Sequence, residues 1–132
     1  MTRIPAVAYL ELEPDPVLIG SRCRSCSATF LLRRSACASC GADDFESPVR
    51  LSTSGVVTTA TTIHRAMPGV PTPFTSGVVA LDGGGYVRCT LTGTCNDPVA
   101  AVGRRAFLST EVVGTDVAGV EAVGFTFDVE DF

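Results

Sequence analysis

Four cysteines in two close pairs constrain this chain more than any other feature. The pairs are Cys23 with Cys26 and Cys37 with Cys40, so the spacing is Cys-x2-Cys-x10-Cys-x2-Cys. Two such turns at the end of a short hairpin place four thiolates around one ion, and Zn²⁺ prefers four soft ligands in a tetrahedron. The intervening segment contains TFLLR, a run that suits a strand. We therefore predict a zinc ribbon.

The rest of the sequence indicates a reducing compartment. No window contains 18 consecutive apolar residues, so no membrane-spanning helix is expected. Glu11 and Glu13 interrupt the N-terminal region before any long apolar run, which argues against a secretory signal. We expect a cytoplasmic protein, and in that compartment cysteines serve as metal ligands or free thiols more often than as disulfides.

Three other uses of the four thiols compete with zinc. Two disulfides conflict with the expected compartment. A redox dithiol uses one Cys-x-x-Cys at a helix start, and neither pair here has that setting. An iron site of the rubredoxin type would accept the same four thiolates, and the spacing does not separate iron from zinc. With either metal, four sulfurs close the coordination shell, so we expect a structural site.

From residue 49 onward the sequence has the period of two that is typical of strands. GVVTTATTIHR is rich in β-branched residues, and alternation places four of them on one face, namely Val57, Thr59, Thr61 and Ile63. The next segment predicts a hairpin around residues 83–85, with Val87, Cys89 and Leu91 on one side of its second strand.

The remaining segments complete a small all-β fold. One helical turn is expected after Asp97, with that residue as cap and Pro98 in the first position. RAFLSTEVV and GVEAVGFTFDVE are predicted to form a final strand pair. Five strands in about 80 residues suit the five-stranded OB-fold barrel, with an open sandwich as the alternative.

The predicted fold class is therefore all-β: an N-terminal rubredoxin-like zinc ribbon followed by a five-stranded OB-fold barrel. We divide the chain into an irregular segment over 1–16, a ribbon over 17–47 and an OB-fold domain over 48–132. Within the first segment, three prolines limit regular structure to the short stretch YLELE.

The order of these motifs resembles a known family. A ribbon ending in CASCG runs into a strand containing SGVVTTATT, a hairpin with VVALDGGGYVRC, and an aromatic finish, GFTFDVEDF. This order is similar to that of the zinc-ribbon plus OB-fold accessory proteins associated with acyl-CoA enzymes, over roughly residues 18–130. The chain departs from the family pattern at Ser27, where glycine is usual.

The resemblance implies a partner-dependent protein. Members are similar to small subunits of thiolase-like or lipid-transfer-type thiolases, hydratases and aldolases, in the degradation of steroids, other lipids or aromatic acids. The implied cofactor is structural Zn²⁺, with a CoA thioester as a further ligand. A hetero-oligomer with a thiolase-like or aldolase catalytic subunit is the expected assembly.

Arginines are the expected contacts to CoA phosphates or to the partner, because guanidinium pairs with phosphate in a fork. All ten basic residues are arginine. The predicted contact set combines four arginines near the cysteines with one arginine and one aromatic residue of the later loop: Arg22, Arg24, Arg33, Arg34, Arg65 and Phe74.

Charge is distributed in blocks along the chain. Residues 17–40 carry four arginines and no acid, whereas residues 106–132 carry six acids and no base. Such a distribution can orient a partner, although solvated faces of opposite sign are the more ordinary interpretation.

No catalytic residue is predicted. His64 is the only imidazole and has no partner that the sequence identifies, and Cys89 lies on an apolar strand face where an inert, buried thiol is expected. Cys95, in a polar loop, is the better candidate for a reactive thiol. The chain has no lysine, which excludes Schiff-base chemistry.

Three functions remain at this point. The favoured hypothesis is a non-catalytic accessory subunit that a thiolase, aldolase or acyltransferase complex requires. An OB-fold module that binds nucleic acid is less favoured, because such binding needs a basic surface and the net charge is −4. A small stand-alone acyl-CoA thioesterase or acyltransferase, using Cys95 or His64, is the third.

Overall fold

The structure, a computed structural model, describes residues 2–31, 34–93 and 97–130. Within these ranges it is built almost wholly of strands. In chain order the elements are β1 (Arg3–Pro5), β2 (Leu10–Glu11), β3 (Val17–Cys23), β4 (Thr29–Leu31), β5 (Phe45–Arg50), β6 (Ser54–Ile63), β7 (Phe74–Leu81), β8 (Tyr86–Thr92), α1 (Pro98–Ala101), β9 (Arg105–Thr115) and β10 (Glu121–Val129).

Strands β6 to β10 close into a five-stranded barrel. β6, β7 and β8 pair in succession as antiparallel neighbours, β8 pairs with β10 in parallel, and β9 joins β10 to β6 by antiparallel pairing. A closed five-stranded barrel of this order is the OB-fold, so the predicted fold class is confirmed and the open sandwich is excluded.

The zinc ribbon is organised around β3. This strand pairs with β4 and β5 on its two edges, and with β2 near its start. β3 ends at Cys23, so the first cysteine lies at the tip of the sheet, where β4 and the segment before β5 carry the chain back.

The base of the ribbon and the barrel share one hydrophobic core. Leu10, Leu18 and Leu51 lie outside the five barrel strands, yet they belong to the same buried cluster as barrel residues such as Val79 and Phe127. Because their burial depends on both parts, separating ribbon from barrel would expose apolar surface on each.

A β-bulge in β6 changes which residues face the core. The register with β7 shifts between Val57 and Thr59, after which Ala60 packs against the core and Thr59 is exposed. The prediction that Val57, Thr59, Thr61 and Ile63 share one face is therefore wrong beyond Val57, because a bulge inserts one residue and reverses the alternation.

The N-terminal segment is more regular than predicted. β2 falls within YLELE as expected, but β1 also forms, as a parallel strand beside β10. The predicted helical turn is confirmed as α1, where the Asp97 carboxylate accepts a hydrogen bond from the Ala100 N–H at 3.2 Å. Within the described ranges, no helix is both long and apolar enough to cross a membrane.

Candidate metal centre

Each cysteine pair forms the same tight turn. In the first, the Ser27 N–H donates to the Cys23 carbonyl at 2.9 Å and the Cys23 N–H donates to the Ala28 carbonyl at 2.8 Å. The second turn repeats both hydrogen bonds, at 2.8 and 2.7 Å, with the corresponding residues Cys37, Gly41 and Ala42. The two turns therefore have the same backbone hydrogen bonds, and each contributes two sulfur atoms to the cluster of four.

The four sulfur atoms lie at distances that suit one tetrahedral ion. Sγ of Cys23 is 3.6 Å from Sγ of Cys40, and Sγ of Cys26 is 3.5 Å from Sγ of Cys37. All four Sγ atoms lie within 4.8 Å of one another. A tetrahedron with Zn–S bonds of about 2.3 Å has edges of about 3.8 Å, so the donor set fits Zn²⁺.

The four neighbouring thiols shift one another's pKa in opposite directions. Burial of the Cys37 thiol raises its pKa, but hydrogen bonds from the backbone of Cys40 and Ser39, and from the thiols of Cys26 and Cys40, lower it to about 7. One of these is the Ser39 N–H, which lies 3.4 Å from Cys37 Sγ. A backbone hydrogen bond from Ala42 lowers the pKa of Cys40, but the thiols of Cys23, Cys26 and Cys37, together with burial, raise it to about 12, so a bound metal has to displace protons from the cluster.

A metal ion bound by four protein sulfurs has a structural role. A four-coordinate ion with four thiolates has no free position for water or substrate, so the site would hold the turns together without activating a reactant. Cys23 and Cys37 are buried while Cys26 and Cys40 are exposed, so the set lies at the surface of the tip.

The predicted arginine contacts on the ribbon have different surroundings. Arg22 pairs with Glu46 at 3.9 Å, and Arg24 pairs with Asp44 at 3.3 Å. The Arg34 guanidinium carbon lies 4.8 Å from the centroid of the Phe30 ring, at cation–π distance. Arg33 lies outside the described residues.

Arg65 and Phe74 lie at the other end of the barrel from these arginines. Phe74 begins β7 beside the loop that carries Arg65, whereas the ribbon meets the barrel at the far end of β7, where Thr29 Oγ1 lies close to Gly84. From Phe74 to Leu81 the strand spans about 23 Å at about 3.3 Å per residue. The structure therefore does not bring the five described members of the predicted contact set together in one site.

The ribbon and the barrel form a groove between them that the sequence does not predict. It has a volume of about 590 Å³ and is lined by Phe30 and Arg34 of the ribbon and by Tyr86 of the barrel, among others. Tyr86 is 68% exposed. The alternation of β8 does place Tyr86 opposite the core residue Val87, but nothing in the sequence indicates that the ribbon lies beside it.

Of the potential catalytic groups, the structure describes His64 and Cys89, which have different surroundings. His64 is exposed just after β6. Cys89 is buried, and burial raises the pKa of its thiol to about 12, so the predicted inert thiol is confirmed. Cys95 lies outside the described residues.

Comparisons with known proteins agree with this architecture. Residues 11–46 match the family described as ChsH2, rubredoxin-like zinc ribbon domain, and residues 48–120 match ChsH2, C-terminal OB-fold domain. A solved structure titled "Ltp2-ChsH2(DUF35) aldolase" is similar with a TM-score of 0.60 and 22% identity, covering 83% of this chain and 84% of that one. At this identity the likeness shows the fold. No curated protein matches the chain at a significant level.

Proposed function

The chain belongs to the ChsH2 family, which joins a rubredoxin-like zinc ribbon to an OB-fold domain, and on that premise we propose that it is a non-catalytic accessory subunit of an aldolase-type acyl-CoA enzyme. The family resemblance drawn from the sequence is confirmed by these matches. The partner, the acyl-CoA ligand and the accessory role are our proposal.

One observation carries the proposal. The similar solved structure is titled as an aldolase that includes ChsH2, and the similarity extends over more than four fifths of both chains. The chemistry of this chain supports a scaffolding role for two reasons. Four protein sulfurs leave a bound metal no free coordination position, and the buried Cys89 thiol stays protonated at neutral pH.

We assign the two parts different tasks. The ribbon would dock on the catalytic subunit, and the barrel would help to form the acyl-CoA site or channel. Arg34 supports the first task, since its guanidinium borders the groove beside Tyr86 and pairs with no carboxylate among the described residues. Arg65 and Phe74, at the far end of the barrel, would contact a separate part of the complex or of CoA.

The proposal is tested by co-expression with an aldolase-type or thiolase-like subunit encoded beside this chain. We expect the catalytic subunit to be insoluble or inactive alone, and to be recovered as an active complex when the chain is present. Cys26→Ser should abolish this rescue by disrupting the metal site, whereas Cys89→Ala, which removes a cysteine outside the ribbon, should retain it. Full activity of the catalytic subunit alone would contradict the proposal.

A further inference from the structure

Strands β9 and β10 continue beyond the barrel as a projecting hairpin. β9 pairs with β6 only over Arg105–Phe107, and β10 pairs with β8 only at Phe127 and Asp128. Residues 109–115 and 121–125 therefore extend beyond these pairings, and we call these two segments the β9–β10 arm. Its β10 segment packs on the N-terminal part of the chain, since Val123 is 2% exposed and the Phe125 ring lies 5.8 Å from the Tyr9 ring. The arm projects from the end of the barrel where β6 begins, which is also the end where the ribbon packs.

The two edges of the arm differ. The edge formed by β10 is covered by the chain's own β1, which pairs with Glu121, Ala122 and Val123. The edge formed by β9 pairs with no strand beyond Phe107 among the described residues. Residues 109–112 form a regular open edge of about 13 Å at about 3.3 Å per residue, up to a β-bulge at Val113.

Beyond Leu108, the backbone groups on this edge that point away from β10 have no strand partner in the part of the chain that the structure describes. The Leu108 N–H donates to the Thr53 carbonyl at 2.8 Å, so the peptide groups of Leu108 face away from β10. Because these directions alternate along a strand, Thr110 and the N–H of Val112 face the same open side. Natural edge strands are commonly protected by lysine, proline or a β-bulge, and residues 109–112, STEV, contain none of these, whereas the next residue, Val113, is bulged.

The turn that joins the two segments of the arm is ordered by hydrogen bonds. At its tip, the Asp116 carboxylate accepts hydrogen bonds from the N–H groups of Ala118 and Val120, both at 2.9 Å. An ordered turn lowers the entropy cost of binding. Val112, Val113 and Val117 are exposed beside this turn, so the arm also offers apolar surface to an occupant.

Charge distinguishes between potential occupants. Within the arm, Glu121 pairs with the Arg3 guanidinium at 3.1 Å, whereas Glu111 is exposed and forms no ion pair with a described residue. In the antiparallel register that pairs Thr110 of one copy with Val112 of a second copy, the two Glu111 side chains would lie directly opposite each other, and like charges across strands are destabilising. A basic strand would instead meet the exposed carboxylate of Glu111.

We propose that the open edge of β9 binds an extended, basic and β-branched segment of the catalytic subunit as an added strand. This inference rests on the proposed accessory function and names the surface through which it acts. Backbone hydrogen bonds to Thr110 and Val112 would supply affinity, and contacts to Glu111 and the exposed valines would supply selectivity.

The probe is a blocked ten-residue peptide of alternating valine or threonine and arginine, titrated into the zinc-loaded full chain labelled with ¹⁵N. We expect amide shifts and slowed hydrogen exchange at residues 110 and 112, and at least about tenfold weaker binding when glutamate replaces arginine in the peptide. Thr110→Pro removes the outward N–H at an edge position that tolerates proline, and should weaken binding at least about tenfold. Thr110→Val keeps the N–H and should bind like the parent chain.

A second variant does not depend on proline. Glu111→Arg should reverse the preference, favouring the glutamate peptide over the arginine peptide. Absence of binding, binding that Thr110→Pro leaves unchanged, or self-association of the free chain through residues 109–115 would each overturn the inference. These outcomes leave the accessory role intact, because rescue of the catalytic subunit is measured separately by co-expression.

Discussion

Ser27 and Gly41 occupy equivalent positions in the two cysteine turns, and both have a left-handed backbone. Their φ angles are 67° and 80°. Glycine adopts this conformation freely, whereas a residue with a Cβ is strained there. A Cβ at Gly41 would have no atom within 4 Å, so conformation rather than space explains the glycine. The first turn therefore carries backbone strain that the second lacks.

This difference predicts opposite effects for two exchanges. Ser27→Gly should stabilise the zinc-loaded chain by about 0.5–1 kcal/mol, and Gly41→Ser should destabilise it by about 1 kcal/mol. Urea unfolding of both variants with zinc in excess measures the free energy of unfolding. Effects of the same sign in both variants would contradict this account of the turns.

At single residues, the sequence predicts well what local turns determine. The Cys-x2-Cys spacing predicts the four-sulfur set because each turn positions two sulfurs within four residues. It does not predict the groove of Phe30, Arg34 and Tyr86, which depends on how the ribbon packs beside the barrel. It also does not predict that Arg65 and Phe74 lie far from the ribbon.

Among the elements, β6 shows where periodicity stops being informative. Alternation predicts one continuous face, but the register shift after Val57 turns Ala60 toward the core. Gly77 lies opposite this bulge, and a Cβ there would stand 2.3 Å from the Thr59 carbonyl oxygen. The bulge depends on this cross-strand approach, so a pattern read along one strand cannot reveal it.

A cluster of hydrogen-bonded polar side chains connects β6, β9 and the residue that follows β7. Asp82, after β7, receives two hydrogen bonds from the Arg105 guanidinium at 2.9 and 2.6 Å, and one from the Ser54 hydroxyl at 2.7 Å. The hydrogen bonds from Arg105 and Ser54 lower the pKa of Asp82 to about 2. The cluster lies where β6 and β9 pair, at the seam that closes the barrel.

The pH dependence of this cluster follows from the lowered pKa. Its stabilisation is present above the unfolded value of 3.8 and is lost as the pH falls toward about 2, because protonation removes the carboxylate. We expect Asp82→Asn to lower the melting temperature at neutral pH, and we expect its difference from the parent chain to narrow as the pH falls from 3.8 toward about 2. Asp15→Asn, at an exposed aspartate, is the control and should show no such gap. A gap that persists unchanged to pH 2 would contradict the role of the ionised carboxylate.

In the molecule as a whole, the shared core predicts how the chain responds to metal removal. Structural zinc in isolated peptides contributes on the order of 10–16 kcal/mol at neutral pH, which is an upper bound for a ribbon whose base is already packed. Leu18 and Leu51 anchor that base in the barrel core. We therefore expect the base of the ribbon to stay packed on the barrel when the metal is removed, whereas the cysteine turns depend on the metal.

Chelation should unfold the cysteine turns and leave the barrel folded. Amide hydrogen exchange after zinc removal should lose protection at Ser27 and Gly41, whose N–H groups bond within the turns, and retain it at Val79 and Val87 in the core. Lowering the pH in the acidic range should release zinc, because protons compete with the metal for the thiolates. Loss of protection across the barrel on chelation would contradict this division.

The central claim is that this chain completes another subunit and does not itself turn over substrate. The most direct measurement is the acyl-CoA aldolase activity of the neighbouring catalytic subunit as the zinc-loaded chain is titrated into it. We predict that activity rises and saturates with added chain, while the chain alone gives none. Turnover by the chain alone, or activity that the added chain does not change, would contradict the account.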